Sequence, residues 1–231
     1  MRILWAAGAV LFIAMSALCA NLSVASFLAS GIENKTALWS QAGYLQDEKE
    51  WQALYEFNLD SEDGLLLDPR HVQNRTRLLE WRAYMQRLSP DVARESLLQA
   101  IEGYRELTDL IPPSGYAWAS IGDLRARLGI FDDVTNQALE YAVLLHPVEE
   151  QTQRRVIRAG IGYWEKWPEP TRKRVRDTIA NALKTDTTLQ AQPIDRFVFD
   201  TAIDNGWEVE LHQLLPDEAL RKRFSARRRQ R

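Results

Sequence analysis

The residue types best suited to metal binding or covalent chemistry are few and widely spaced in this chain of 231 residues. A single cysteine, Cys19, excludes a disulfide framework and a cysteine-based zinc site. The three histidines, His71, His146 and His212, show no spacing typical of metal ligands. We therefore expect no bound metal ion and no cofactor.

Two adjacent carboxylate pairs are the next candidates for catalysis: Asp132 with Asp133, and Glu149 with Glu150. Each pair lies near a predicted helix start, where negative charge stabilises the helix N-terminus. A glycosidase needs two carboxylates that face each other across a cleft, which neither pair indicates. We expect no catalytic residue, and we therefore expect that the protein is not an enzyme. A glycan-modifying hydrolase or lyase remains the alternative.

A short aromatic cluster, Tyr163, Trp164 and Trp167, is a candidate binding site. Aromatic rings could form a platform for a glycan or a partner protein. Large aromatic side chains also dominate hydrophobic cores, and core packing is the favoured interpretation.

The C-terminus is strongly basic, because residues 221–231 contain seven arginine or lysine residues and no acidic residue, whereas the whole chain has a formal net charge of −3. We expect residues 211–231 to form a disordered tail. Arg227, Arg228 and Arg229 are candidates for contact with anionic lipid or an anionic polysaccharide. Docking on the acidic remainder of the chain is a further alternative. We expect no nucleic-acid partner, because the chain is expected to be exported.

An uncharged run covers residues 3–31, between Arg2 and Glu33. About 20 apolar residues are enough for a helix to cross a bilayer. Residues 1–31 are therefore predicted to be a membrane anchor or uncleaved signal, with the remainder on the outer side of the membrane. A cleaved signal peptide, with its shorter apolar core of about 7–15 residues, is the alternative.

Beyond this run, the apolar residues recur with helical spacing almost everywhere. Glycine and proline lie mostly at the predicted helix ends. The chain is therefore predicted to be all-α, with a helical domain over residues 32–210. The predicted helices cover residues 40–58, 74–88, 90–111, 116–128, 131–145, 149–164, 171–183 and 193–205.

One segment, residues 116–147, resembles a tetratricopeptide unit, which is an antiparallel helix pair of about 34 residues. Such units stack into a tetratricopeptide-like α-hairpin array whose concave face binds peptides or proteins. The residues at the defining positions of the unit are Trp118, Gly122, Gly129, Phe131, Ala138 and Pro147.

Further landmarks extend the resemblance over residues 40–185. They are Leu78-Leu79-Glu80-Trp81-Arg82-Ala83, Tyr116-Ala117-Trp118-Ala119, Leu124-Arg125-Ala126-Arg127-Leu128-Gly129, Ala138-Leu139-Glu140-Tyr141-Ala142 and Leu145-His146-Pro147. With these landmarks the chain resembles the VpsP-type polysaccharide biosynthesis proteins. These are small membrane-anchored bacterial proteins with tetratricopeptide-like helices, associated with exopolysaccharide synthesis and secretion. The resemblance carries over no active site.

The resemblance and the uncharged run together predict a single-pass protein of the bacterial inner membrane with its C-terminal domain in the periplasm. Its expected role is that of a non-catalytic scaffold or adaptor, with protein partners in a polysaccharide synthesis or export complex. The alternatives are the hydrolase or lyase above, or a periplasmic assembly chaperone released from a cleaved precursor.

Overall fold

A computed structural model describes residues 2–42, 48–64, 69–85, 89–184 and 193–231. Within these ranges all regular secondary structure is helical, which confirms the prediction of an all-α fold. The α-helices are α1 (Arg2–Ala42), α2 (Glu48–Gly64), α3 (Pro69–Met85), α4 (Pro90–Leu110), α5 (Gly115–Arg127), α6 (Asp133–Leu145), α7 (Glu150–Gly162), α8 (Glu169–Lys184), α9 (Ile194–Asp204), α10 (Glu208–Leu214) and α11 (Glu218–Arg229). A short 3₁₀ turn, Trp164–Lys166, lies between α7 and α8.

The chain divides into two compact units, Met1–Leu110 and Ile111–Arg231. This division differs from the single helical domain expected over residues 32–210. The expected boundary at residue 31 also differs, because it lies inside α1. Helix α1 continues past the uncharged run because Ile32, Thr36 and Trp39, spaced three or four residues apart, are all buried.

In the first unit, the C-terminal part of α1 packs on α2 and α3. Ile32 and Trp39 share a buried cluster with Trp51 of α2 and Leu78 of α3. The Trp51 indole Nε1 donates a hydrogen bond to the Leu78 carbonyl oxygen at 2.6 Å. The predicted helix over residues 40–58 overlaps the end of α1 and the first part of α2, and the residues between these two helices lie outside the described ranges.

The N-terminal part of α1 carries exposed apolar side chains, among them Phe12, Ile13 and Phe27. In the part of the chain that the structure describes, no helix combines the length and apolar character needed to cross a membrane.

In the second unit, helices α5 and α6 form an antiparallel hairpin. A Cβ atom at Gly122 would lie 2.5 Å from Leu139 Cδ2, so glycine is needed for the close approach of the two helices. The turn between them contains Gly129 with a φ of +76°. Asp132 is the N-cap of α6, and its carboxylate accepts a hydrogen bond from the Thr135 backbone N–H at 3.0 Å.

The six residues expected to define a tetratricopeptide unit lie in this hairpin or next to it. Trp118 donates from Nε1 to the Pro112 carbonyl at 3.1 Å and contacts the ring of Tyr141 edge-on at 5.1 Å. Ala138 is buried, and the ring of Phe131 lies against those of Tyr163 and Trp167. Pro147 follows the C-cap of α6, and Gly122 and Gly129 act as described above.

Helices α7 and α8 form a second hairpin, in which a glycine again allows the two helices to approach closely. A Cβ atom at Gly160 would lie 2.4 Å from both γ-carbons of Val175. Helix α5 packs against α7, and α6 packs against α8, so the first helices of the two hairpins lie side by side. In this unit the predicted helices from 116–128 to 193–205 agree with α5 to α9 to within two residues at each end.

The C-terminal region is helical, which corrects the expected disordered tail over residues 211–231. Asp217 caps α11, and its carboxylate accepts a hydrogen bond from the Leu220 backbone N–H at 2.8 Å. Leu220 and Phe224, one turn apart, are buried, and the Phe224 ring lies 5.2 Å from that of Phe199 on α9. The tail therefore has its own apolar face, which the run of basic residues obscures in the sequence.

Candidate functional site

The most concentrated group of ionisable side chains in the second unit surrounds Asp123 on α5. Arg158 donates from Nη2 to Asp123 Oδ2 at 2.6 Å and from Nε to Oδ1 at 3.3 Å. Arg155 donates from Nη1 to Oδ2 at 3.2 Å, and the Arg127 guanidinium lies 3.5 Å from the same oxygen. We call Asp123, Arg127, Arg155 and Arg158 the arginine cluster.

The helices place these four side chains together through simple periodicity. Asp123 and Arg127 are four residues apart on α5, so they lie on the same face of that helix. Arg155 and Arg158, three residues apart, share a face of α7, which packs directly against α5. The close packing of adjacent hairpins thus positions the cluster.

Asp123 is deeply buried and ionised. Burial alone would raise the pKa of its carboxyl group, but the charges of Arg158, Arg127 and Arg155, with the hydrogen bond from Arg158, lower it well below the usual range. An aspartate held ionised in this way neither accepts nor donates a proton at neutral pH. Its role is to fix the three guanidinium groups.

Charge within the cluster is unequal, because three guanidiniums surround one carboxylate. The side chains of Arg158 and Arg127 are 41% and 33% exposed, whereas that of Asp123 is 1% exposed. A guanidinium carries five N–H donors, and Arg158 gives two of them to Asp123. The cluster therefore presents positive charge and hydrogen-bond donors to solvent.

Two tyrosines flank the cluster. The Tyr116 hydroxyl accepts a hydrogen bond from Arg155 Nη2 at 2.9 Å, and the Arg155 guanidinium lies 5.3 Å from the centre of the Tyr116 ring. Burial raises the pKa of Tyr163, as does the charge of Asp123, while the charges of Arg127 and Arg158 oppose the shift. The Tyr163 hydroxyl thus lies within electrostatic range of the cluster.

The aromatic group expected from the sequence divides into three environments. Trp167 is buried and donates from Nε1 to the Ala159 carbonyl at 3.0 Å, so it is core and unavailable to a glycan. Trp164 is half-buried, packs edge-on against Trp207 and lies under the guanidiniums of Arg172 and Arg176. Tyr163 alone lies near the arginine cluster.

The three tail arginines also differ from one another. Arg227 makes two hydrogen bonds to Asp200 on α9, at 2.7 and 2.9 Å. Arg228 lies 3.8 Å from Glu208, and Arg229 is exposed. The nearby Arg223 and Arg231 pair with Asp195 and Asp204. Arg227 therefore follows one of the sequence-based alternatives, in which the basic tail docks on acidic residues of the chain itself.

The three histidines and the cysteine lie on or at the end of four different elements of the chain. His71 is buried in the first unit, His146 caps the end of α6, His212 is exposed on α10 and Cys19 is exposed on α1. Among the described ranges, no three His, Cys, Asp or Glu side chains form a group that could hold a metal ion.

Sequence reasoning missed the arginine cluster because its parts lie 35 residues apart along the chain. One usable signal was present in the sequence: Asp123 and Arg127 are an acid–base pair at helical spacing within α5. An acid on the buried stripe of a helix requires a basic partner from a neighbouring element.

Comparison of the chain with protein-family models, with curated proteins and with solved structures finds no match. The resemblance to VpsP-type proteins stays a prediction based on the sequence landmarks.

Proposed function

We propose that this protein is a non-catalytic, membrane-anchored scaffold in bacterial exopolysaccharide biosynthesis, assembly or export, and that it binds partner proteins through a tetratricopeptide-like surface. The observation that carries the binding role is the arginine cluster on the face shared by α5 and α7, where a buried carboxylate holds exposed guanidiniums in place. The link to polysaccharide comes from the resemblance to VpsP-type proteins.

The packing of the second unit supports the repeat interpretation. Both hairpins use a glycine on the first helix, Gly122 or Gly160, against a branched side chain on the second. Equivalent helices stack side by side, α5 on α7 and α6 on α8. Stacked hairpins of this kind present a continuous surface formed by their first helices, which suits recognition of a partner.

The chemistry of the cluster supports a binding role rather than catalysis. General acid–base catalysis needs a group whose pKa lies near the working pH. The pKa of Asp123 is shifted the other way, far below neutrality, by the surrounding arginines. Arginine side chains stay protonated throughout the physiological range.

The membrane anchor is supported by the uncharged run of residues 3–31 and by the surface of α1. Phe12, Ile13 and Phe27 are exposed, and transfer of apolar surface out of water is favourable by about 25 cal/mol per Å². The charge distribution around the run and the resemblance favour the bacterial inner membrane, with the remainder in the periplasm.

Affinity capture of the tagged full-length chain from solubilised membranes of polysaccharide-producing bacteria tests the proposal. We expect recovery of a polymerase, export protein or glycosyltransferase, identified by mass spectrometry. Recovery of none of these would contradict the scaffold role. Release of product from the polymer by the purified chain would favour the hydrolase or lyase instead.

Two alanine substitutions on α7 provide a matched pair for this capture. At Gly160 the new Cβ meets Val175 at 2.4 Å, whereas at Gly162 it meets only Asn205 Oδ1 at an ordinary 3.7 Å. We expect Gly160→Ala to reduce recovery of the partner and Gly162→Ala to leave it unchanged. Equal recovery with both variants would mean that partners bind elsewhere on the chain.

A further inference from the structure

We propose that the arginine cluster is a carboxylate-binding site, and that its ligand is an acidic peptide segment of a partner protein. The inference rests on the proposed partner-binding function and specifies the chemistry of the partner. Nothing in the sequence landmarks assigns a ligand to Arg127, Arg155 or Arg158.

The charge of the two exposed arginines favours an anionic ligand. Arg127 and Arg158, whose side chains are 33% and 41% exposed, both pair with the one negative charge of Asp123. Arg158 gives two of its donors to Asp123, and within the described residues the Arg127 guanidinium makes an ion pair with Asp123 at 3.5 Å but no side-chain hydrogen bond. A second carboxylate, supplied by a ligand, would satisfy these exposed donors and reduce the excess charge.

The guanidiniums of the cluster are already ordered before a ligand binds. Binding normally costs side-chain entropy, because long side chains must be ordered in the complex. Here the buried carboxylate of Asp123 already orders Arg158 through two hydrogen bonds and Arg155 through one. The planar guanidinium matches a carboxylate in a two-point contact, so the ordered cluster suits that ligand shape.

The environment of the cluster favours a peptide over a glycan. Sugar rings are recognised by stacking on aromatic faces, but the Tyr116 ring faces the Arg155 guanidinium and the Tyr163 ring packs on Phe131 at 5.6 Å. The cluster offers charged donors along the α5–α7 face. That arrangement suits glutamate or aspartate side chains on an extended segment.

Fluorescence anisotropy with a fluorescein-labelled octaglutamate peptide tests the proposal on the full-length chain in detergent micelles. We expect saturable binding that weakens as salt is raised, since the exposed guanidiniums are screened. Arg158→Gln should weaken binding about tenfold or more, because charge-assisted hydrogen bonds are lost. Arg105→Gln is the matched control, since the Arg105 side chain on α4 is 44% exposed and pairs with an acidic residue, Glu102.

Asp123→Asn gives a second test, in which octaglutamate should bind more tightly instead of more weakly. The amide keeps an oxygen that accepts from Arg158, while the cluster loses its negative charge. We expect octaglutamate to bind more tightly to this variant by about threefold or more. A purely structural cluster would give no gain in affinity.

Several results would overturn the proposal: no binding of octaglutamate, equal weakening by Arg158→Gln and Arg105→Gln, or no gain with Asp123→Asn. Weakening by Arg228→Gln alone would assign binding to the tail. Tighter binding of a tetragalacturonate than of octaglutamate would assign the site to an acidic glycan.

The outcomes for the two proposals are separable. Capture of a synthesis or export protein that is unaffected by Arg158→Gln would retain the scaffold role and reject this site. Octaglutamate binding with the expected variant pattern, together with failure to capture any such protein, would retain the site and reject the scaffold role in polysaccharide assembly.

Discussion

Two arginine-rich regions of the second unit differ in how their charge is balanced. In the arginine cluster, the guanidiniums of Arg127, Arg155 and Arg158 all lie within 4 Å of the carboxylate of Asp123. At the C-terminus more acids take part, and they come from α9 and α10: Arg227 pairs with Asp200, Arg223 with Asp195, Arg228 with Glu208, and Arg231 with Asp200 and Asp204. The tail is thereby tied to α9 and α10.

In these two regions, the ratio of arginines to acids identifies a candidate binding site better than the number of arginines does. The tail has the more basic sequence, yet its charges are largely used in holding α11 in place. The cluster has fewer arginines but leaves positive charge exposed beside a deeply buried acid.

The largest expected effect follows removal of the shared acid. Asp123→Ala removes the buried carboxylate that accepts a hydrogen bond from Arg155, whose side chain is 10% exposed. Breaking a buried ion pair from one side costs about 3–5 kcal/mol. We expect a loss of this size in the stability of helices α5 to α8, measured by hydrogen-exchange mass spectrometry of the full chain.

The control for this change is Asp200→Ala on α9. The Asp200 side chain is 22% exposed, so its ion pairs are closer to the surface type, worth at most about 1 kcal/mol. Equal losses for the two variants would contradict the distinction between the cluster and the tail.

Acid titration gives the second prediction. Burial raises the pKa of Asp123, but the three arginines lower it by more than burial raises it. Burial likewise raises the pKa of Asp200, and Arg227, Arg231 and Arg196 outweigh that effect and lower it. A carboxyl group whose pKa is lower in the folded state contributes stability above its unfolded pKa of about 3.9. That contribution is lost as the pH falls towards the folded pKa.

Stability of the second unit should therefore decrease as the pH falls from about 4 to 2. Asp123→Asn should reduce the slope by about one proton, or about 1.4 kcal/mol per pH unit. Asp200→Asn should reduce it less, because that carboxylate is more exposed. Urea denaturation across this pH range measures both slopes. An unchanged slope for Asp123→Asn would show that folding does not lower the pKa of Asp123.

Helix positions in the second unit could be predicted closely from the sequence, because capping residues and prolines mark the ends of α5 to α9. Ser114 and Asp132, for example, accept hydrogen bonds from the first turns of α5 and α6. The first unit was harder to predict. There, α1 continues through Gly31, and its end depends on burial of Trp39 against other helices, which local patterns do not record.

The candidate site was harder to predict than the fold, for a related reason. A run of basic residues is visible in one segment, so Arg227 to Arg229 attracted attention. Asp123 and Arg158 meet only after two hairpins have stacked. The sequence also hides the apolar stripe of Leu220 and Phe224, whose burial makes α11 part of the folded unit.

The smallest expected effect concerns the outer side of the tail helix. The Arg228 side chain is 65% exposed and lies 3.8 Å from Glu208, a distance at which charge attraction in water is weak. Arg228→Gln should change the free energy of unfolding by no more than about 0.5 kcal/mol. Arg227→Gln should increase hydrogen exchange in α11, since it removes two hydrogen bonds to Asp200. If Arg228→Gln increased hydrogen exchange in α11 as much as Arg227→Gln does, the net positive charge of the tail would hold α11 in place, and its individual ion pairs would not. The pairing of each arginine with its own acid would then no longer distinguish the tail from the arginine cluster.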